Sequence, residues 1–374
     1  MLSVNDIELE RRISEHIESD GYISGDVAIA SSGGDSIDNQ SDIRNIYKSA
    51  RKSRLQTIIR PIIIALVPYI VTLFALLVYY LIADTGRQKP VERPYYVYFS
   101  IGIVLIYTIL FVISIFNNNI REVLQDKIPL LSGIIGFIAA INVLTTKTTL
   151  LPVLYFPSPD RIIGLIYEQR IFLLENLLSS LELLAKGFIF GGAIGFFTGL
   201  ALGYNKKVAY WLNPITKFIG PIPTTAWIPL ALSVFATTEA ANVFLIAFAV
   251  WFPVTLMTSS GISSTEQTHF EVAGTLGAST LYKVFKVAVP SAMPSIFLGI
   301  FYGTVSSFTT LMAVEMNGNS SGIGWYINWQ KQVMMYDGVY AGLIIIAIMC
   351  SVILTILFKV RDRILVWQKG VIKW

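Results

Sequence analysis

One cysteine and two histidines in 374 residues leave little room for metal or redox chemistry. The cysteine, Cys350, lies inside an apolar block, so neither a disulfide framework nor a thiolate metal site can be built. His16 and His269, the two histidines, leave almost nothing for imidazole-centred chemistry. Charge is scarce as well: 14% of residues are Asp, Glu, Lys or Arg, against about 25% in a soluble domain. No G-x-x-x-x-G-K-[ST] phosphate loop occurs, so the chain cannot bind ATP by that route. No cofactor, metal or nucleic-acid partner is expected, and the first 43 residues have no apolar core that would read as a cleaved leader.

What the chain has is apolar length. Hydrophobic residues make up 54% of it and fall in blocks of roughly 20, about what a helix needs to cross ~30 Å of hydrocarbon. The predicted fold is an all-α polytopic bundle of about eight spans in the lipid bilayer, at 61–83, 96–116, 129–146, 173–203, 218–236, 241–260, 291–315 and 338–358. The fifth is interrupted by Pro221, Pro223 and Pro229, which free backbone carbonyls that protein or a water-filled cavity must satisfy.

Loop charge sets an expected orientation. With the N-terminus inside, one side receives Lys48, Arg51, Lys52, Arg54, Arg60, Arg121, Lys127, Lys206, Lys207, Lys217, Lys283, Lys286, Lys359, Arg361, Arg363, Lys369 and Lys373. The other receives Arg87, Lys89, Arg93, Lys147, Arg161, Arg170 and Lys331. Seventeen against seven places both termini in the cytoplasm. Between the third and fourth spans, on the outer side, Ser158, Pro159 and Asp160 suit a helix start, and an amphipathic helix should run through Ile162, Ile163 and Ile166. The acidic N-terminal segment, with ten acids against Arg11 and Arg12 in its first 43 residues, reads as a solvated tail with a short helix at 3–18.

The loop between the sixth and seventh spans (264–290) carries the sharpest motif. It reads Glu271-Val-Ala-Gly-Thr-Leu-Gly277, then nine residues, then Val287-Ala-Val-Pro290. Its first half suits a helix, Gly277 permits a sharp turn and Pro290 marks entry to the next span. The pattern resembles the EAA loop of permease subunits of ATP-binding-cassette importers: Glu271, Ala273, Gly277 and Pro290 stand at the family spacing, while Val replaces the middle Ala and two apolar positions. From roughly 130 to 370 the chain is similar to the nitrate/sulfonate/taurine branch, through Pro157-Ser-Pro159, Ser180-Leu181, Lys186-Gly187, Pro221-Ile-Pro223, Ile228-Pro-Leu230, Ala313-Val-Glu315 and Gly322-Ile-Gly324.

The resemblance implies a bacterial inner-membrane protein whose core, residues 126–374, has the MetI-like type I importer fold. It also implies a second permease copy, two copies of a separate ATPase seated on the coupling loops, and an extracytoplasmic substrate-binding protein. Glu271 and Ala273 would lie on the coupling helix and Gly277 in the turn after it. Residues 1–60 and the two spans within 61–125 fall outside the resemblance.

Three further features stand on the residues themselves. Gly187, Gly191, Gly195, Gly199 and Gly203 form an i, i+4 ladder that lets helix backbones approach closely, within one subunit or at a seam between two. Glu315, at the end of the seventh span, is either a gate on the substrate path or a carboxylate tied to the 318–324 loop. Thr224, Thr225 and Trp227, with Ser306, Ser307, Thr309 and Thr310, could line a polar path or bond to the preceding helical turn.

Gly318-Asn-Ser320-Ser-Gly322 fits a serine nucleophile elbow, but it is expected on the opposite side of the bilayer from both histidines. The main alternative to an importer permease is an ion-coupled secondary transporter, which would show paired broken helices and membrane-embedded charges. One proline-broken span without a counterpart argues against it.

Overall fold

A computed structural model describes residues 65–86, 93–116, 118–148 and 150–367. The tail at 1–60, its expected helix at 3–18 and the start of the first span lie outside the described residues. The described residues are helical throughout, with no strand among them. Their helices are α1 (Ala65–Leu81), α2 (Tyr95–Phe116), α3 (Asn118–Asn142, extended by a π turn to Lys147), α4 (Pro159–Glu168) and α5 (Arg170–Tyr204). Then come α6 (Lys206–Ile219), a 3-10 turn (Thr224–Trp227), α7 (Ile228–Val234) and α8 (Thr238–Ser263). The rest are α9 (Gln267–Thr275), α10 (Thr280–Lys283, passing through a π turn), α11 (Val289–Gly318), α12 (Ile323–Gln332) and α13 (Tyr336–Ile364).

Local chemistry sets the boundaries. Asn205 caps α6 by accepting from the Lys207 and Val208 amides, and Thr237 caps α8 by accepting from Ala240, with Glu239 in the positive first turn. Pro159 occupies the opening turn of α4, as expected; Ser158 sits at its N-cap and is buried, but its hydroxyl makes no capping bond.

Six helical stretches are long and apolar enough to cross a membrane: Tyr95–Ser114, Asp126–Lys147, Arg170–Tyr204, Thr238–Ser263, Thr280–Gly318 and Tyr336–Ile364. They match six of the eight expected spans. The first expected span appears as α1 from Ala65 onward. The fifth, expected over 218–236, is not one helix: α6 ends at Ile219, and the prolines divide the chain beyond it into a 3-10 turn and the short α7. Pro223 is the N-cap of the 3-10 turn, and Pro229 falls in the first turn of α7, where a missing amide costs no helical bond.

The packing requires that broken segment to span the bilayer thickness. A methyl group on Gly187 would meet Ile246, on Gly191 Ala247, on Gly195 Val254, on Gly199 Thr255 and Thr258, and on Gly203 Ile262. Partner numbers rise together, so α5 and α8 run parallel. The chain leaves α5 at Tyr204 and must return to the level of Lys186, which pairs with Glu239 at 2.6 Å. Eighteen helical residues separate those levels, about 27 Å at 1.5 Å per residue. Residues 205–237 climb that height. The glycine ladder thus makes a contact inside one subunit.

Helix α8 lies between α5 and α11, antiparallel to the latter: Gly261 faces Ser295, and Gly303 faces Val250. Three apolar clusters fill the bundle among the described residues, one of them joining Leu173 of α5 to Ile323, Tyr326 and Ile327 of α12; the other two lie along α8. One joins Leu183 and Leu184 of α5 to Leu245 and Ile246 of α8, Leu311 and Val314 of α11 and Met349 of α13. The other, towards the far end, joins Ile262 of α8 to Ala288, Ala292 and Ile296. Leu245, Ile246 and Leu311 are fully buried.

The α5–α8 contact yields a paired test. A Cβ on Gly191 would overlap the Ala247 carbonyl oxygen, whereas one on the adjacent Gly192 would meet nothing within 4 Å. Gly191→Ala should lower thermal stability in detergent by the equivalent of about 1–3 kcal/mol of overpacking. Gly192→Ala should leave it unchanged or raise it slightly, because alanine is the better helix former.

Candidate functional site

Two sites carry the candidate residues, one at each end of the bundle. The first is the 264–290 loop. Helix α9 holds Glu271 and Ala273 and ends in a double backbone turn: the Gly277 amide donates to the Gly274 carbonyl and the Ala278 amide to the Ala273 carbonyl. This pairing needs a left-handed residue at position 277, and Gly277 has φ +78°. A Cβ there would touch nothing within 4 Å, so the glycine serves conformation rather than close packing. Lys283 arches back so that its Nζ lies 2.9 Å from where a Gly274 Cβ would be. Pro290 sits in the first turn of α11.

One side of the loop is anchored. Phe270 packs edge-on against Tyr204 at the end of α5, at 6.1 Å between ring centroids, and joins the Ile262–Ala288–Ala292–Ile296 layer. The other side is open: Val272, Leu276, Leu281, Tyr282 and Phe285 are all exposed, Leu276 at 82%. Glu271 is exposed as well.

The second site surrounds Glu315. Its carboxylate is fully buried, yet no lysine or arginine among the described residues is paired with it. It receives the Ser180 hydroxyl at 2.6 Å on Oε1 and the Gly324 amide at 2.7 Å on Oε2. Ser180 in turn accepts from the Ile323 amide at 2.8 Å, and Asn176 Oδ1 accepts from the Gly322 amide at 2.9 Å. Three successive amides at the start of α12 are therefore met by side chains of α5 and α11, and the positive helix end offsets the buried charge. Gly322 (φ +109°) and Gly324 admit this geometry: a Cβ on either would overlap Glu315 atoms at under 3 Å. Of its two sequence readings, the contacts realise the tie to the 318–324 loop. Asn176 went unrecognised in the sequence; its signal was an amide side chain one turn before Ser180, on the same face of the helix.

The hydroxyl candidates separate by face. Ser307 and Thr310 are buried and donate to the Thr304 and Ser306 carbonyls of the preceding turn. Ser306 is half-buried, while Thr309 shares an exposed stripe with Leu298, Tyr302 and Val305. Thr224 and Trp227 are half-buried and Thr225 is exposed, on the 3-10 turn. Ser320 and His269 lie at opposite ends of the 30-residue α11, so the His269 imidazole does not reach the G-x-S-x-G serine.

Residues 191–365 match the family model described as binding-protein-dependent transport system inner membrane component. A Bacillus subtilis protein named as an aliphatic sulfonates transport permease is 30% identical over 217 residues, covering 57% of this chain and 78% of that one. A Methanocaldococcus jannaschii protein named as an ABC transporter permease is 29% identical over 264 residues, covering 69% and 96%. The taurine transport system permease protein of Escherichia coli is 25% identical over 255 residues, covering 66% and 93%.

The Glu315 cluster predicts its own test. Glu315→Ala leaves the Gly324 amide and Ser180 without their acceptor in a dry site and should cost about 2–4 kcal/mol, seen as a fall in thermal stability. Glu315→Gln keeps an acceptor oxygen and should lose less than half of that.

Proposed function

The chain belongs to the family of binding-protein-dependent transport system inner membrane components, and from that membership we propose that it is the permease subunit of an ATP-binding-cassette importer for a small polar anion of the sulfonate, taurine or nitrate kind. A second copy of the chain and two copies of a separate ATPase complete the transporter, and an extracytoplasmic binding protein delivers the solute. The excess of lysine and arginine at the 264–290 end supports a cytoplasmic position for that end and for both termini, in an inner membrane.

The observation that carries this reading is the open face of the 264–290 loop. Val272 and Leu276 stand exposed at α9, outside the bilayer-length stretches and next to an exposed Glu271, and Leu281, Tyr282 and Phe285 stand exposed where the next stretch begins. Large apolar side chains exposed outside the hydrocarbon support a protein partner there. The ATPase surface is that partner: α9 seats in it, with Glu271 and Ala273 on the seated helix and Gly277 closing it. Phe270 against Tyr204 then passes movement of α9 to the foot of α5. ATP-driven closure of the ATPases biases the bundle between inward- and outward-facing states by binding one of them better. The solute path follows the exposed stripe of α11 and the broken 205–237 segment, with Thr224, Thr225, Trp227, Ser306 and Thr309 as polar lining. Ser307, Thr310 and Glu315 hold that wall in shape from inside the subunit.

The coupling role is tested at Gly277. Valine is excluded from the left-handed region at a cost of about 1–3 kcal/mol, whereas asparagine tolerates it. Gly277→Val should reduce ATPase co-purification and uptake by about tenfold or more, with the melting temperature of the permease alone unchanged. Gly277→Asn should remain close to the parent, and Glu271→Lys should lose uptake without losing the fold. Normal uptake by a well-expressed Gly277→Val chain would remove the coupling assignment. Uptake that needs no ATPase at all would return the chain to the ion-coupled transporters.

A further inference from the structure

Helices α1, α2 and α3 form a unit of their own. Ala65 and Tyr69 of α1, Tyr107 of α2, and Leu124, Ile128 and Leu131 of α3 make one apolar cluster, and the Tyr107 hydroxyl donates to the Ala65 carbonyl. At the other end of this unit Lys147, just after α3, pairs with Asp84 at 2.7 Å and donates to the Tyr79 carbonyl at 2.8 Å, fastening the end of α1. Neither α2 nor α3 packs substantially on α5, α8, α11 or α13 among the described residues; both meet α4 instead. Helix α4 in turn packs on α13 and α5. For α2 and α3, the ten-residue α4 therefore carries the contact with the transport bundle.

The contact is built from adjacent residues facing opposite ways. Asp160 is buried, and its Oδ1 accepts from the Tyr96 amide at 2.6 Å, in the first turn of α2. Burial pushes the Asp160 carboxyl above the ordinary range, an effect the Tyr96 hydrogen bond opposes. Its carboxylate thus serves two helix N-termini, that of α4 itself and that of α2. The next residue, Arg161, turns the other way and pairs with Asp337 at the start of α13 at 2.7 Å. Gly164, one turn on, lets the Tyr95 ring lie against α4: a Cβ there would sit 2.7 Å from it.

We propose that α4 is a two-sided clasp, Asp160 holding the α1–α3 unit and Arg161 holding α13, which fixes that unit rigidly to the transport bundle. Through it, any displacement of α13 during transport is carried into the unit. That consequence rests on the permease reading, whereas the clasp itself can be measured without transport.

The measurement is a spin-label distance in the full-length chain. Labels go on Ile109 of α2 and Ile348 of α13, both exposed, in a Cys350→Ala background. Diluted with an excess of unlabelled chain, so that only the distance within one copy is read, the parent should give one narrow distance. Asp160→Ala and Arg161→Glu should each lose it, giving a broad or double distribution, while Asp160→Asn should retain it. Combining Arg161→Glu with Asp337→Arg should restore the narrow peak, which a merely misfolded chain would not do. A broad parent distribution, or a narrow one in both disrupting variants, would overturn the clasp. So would failure of the charge-exchanged pair to recover when Asp160→Ala also leaves the distance unchanged.

Discussion

The architecture rests on how closely two parallel helices, α5 and α8, approach each other. Five glycines spaced one turn apart remove every side chain from one stripe of α5, and the backbone of α8 fills the space. Inside a membrane, apolar burial gives little preference for one helix partner over another, so van der Waals contact at this distance decides which helices pair. Because the pairing is parallel, the intervening chain must return through the full thickness of the bundle. It does so as α6, a 3-10 turn and α7, the segment that the prolines divide. The continuous wall and the broken one thus follow from a single contact.

Both buried carboxylates at the Glu315 end are handled in the same way. Glu315 and Asp160 are each buried, and each accepts an amide from the first turn of another helix, α12 and α2 respectively. A helix terminus brings partial positive charge and otherwise unmet donors. It compensates a carboxylate without the desolvation that burying a lysine would add. Such contacts are short and directional, and they fix elements that apolar packing alone would let slide.

Much of this was legible in the sequence, for reasons that differ by feature. Apolar block length found six long helices because bilayer thickness is a fixed ruler. The 264–290 motif was legible because a helix end of this type requires glycine at one place, and Gly277 stands there. The fifth span was misread as one helix: prolines announce a break, but the route across is set by the parallel pairing, a tertiary fact. Glu315 had two open readings because its partner Ser180 lies 135 residues away. Ser307 and Thr310 resembled path residues because a hydroxyl carries no sign of which face it occupies. Asp160 was read as an end of its own helix, and its second role depends on α2 arriving from outside the motif.

The form of the 264–290 loop is written in torsion angles. A side chain on Gly277 would touch nothing, and the turn it makes is closed by backbone bonds among Ala273, Gly274, Gly277 and Ala278. The outward side chains of Val272, Leu276 and Leu281 therefore take no part in holding the loop's shape. Their identities are free to drift with whatever surface they meet, while the scaffold presenting them stays constant. If the loop seats on an ATPase as proposed, a chain arranged in this way can change its engine by altering a few exposed residues without rebuilding the membrane domain.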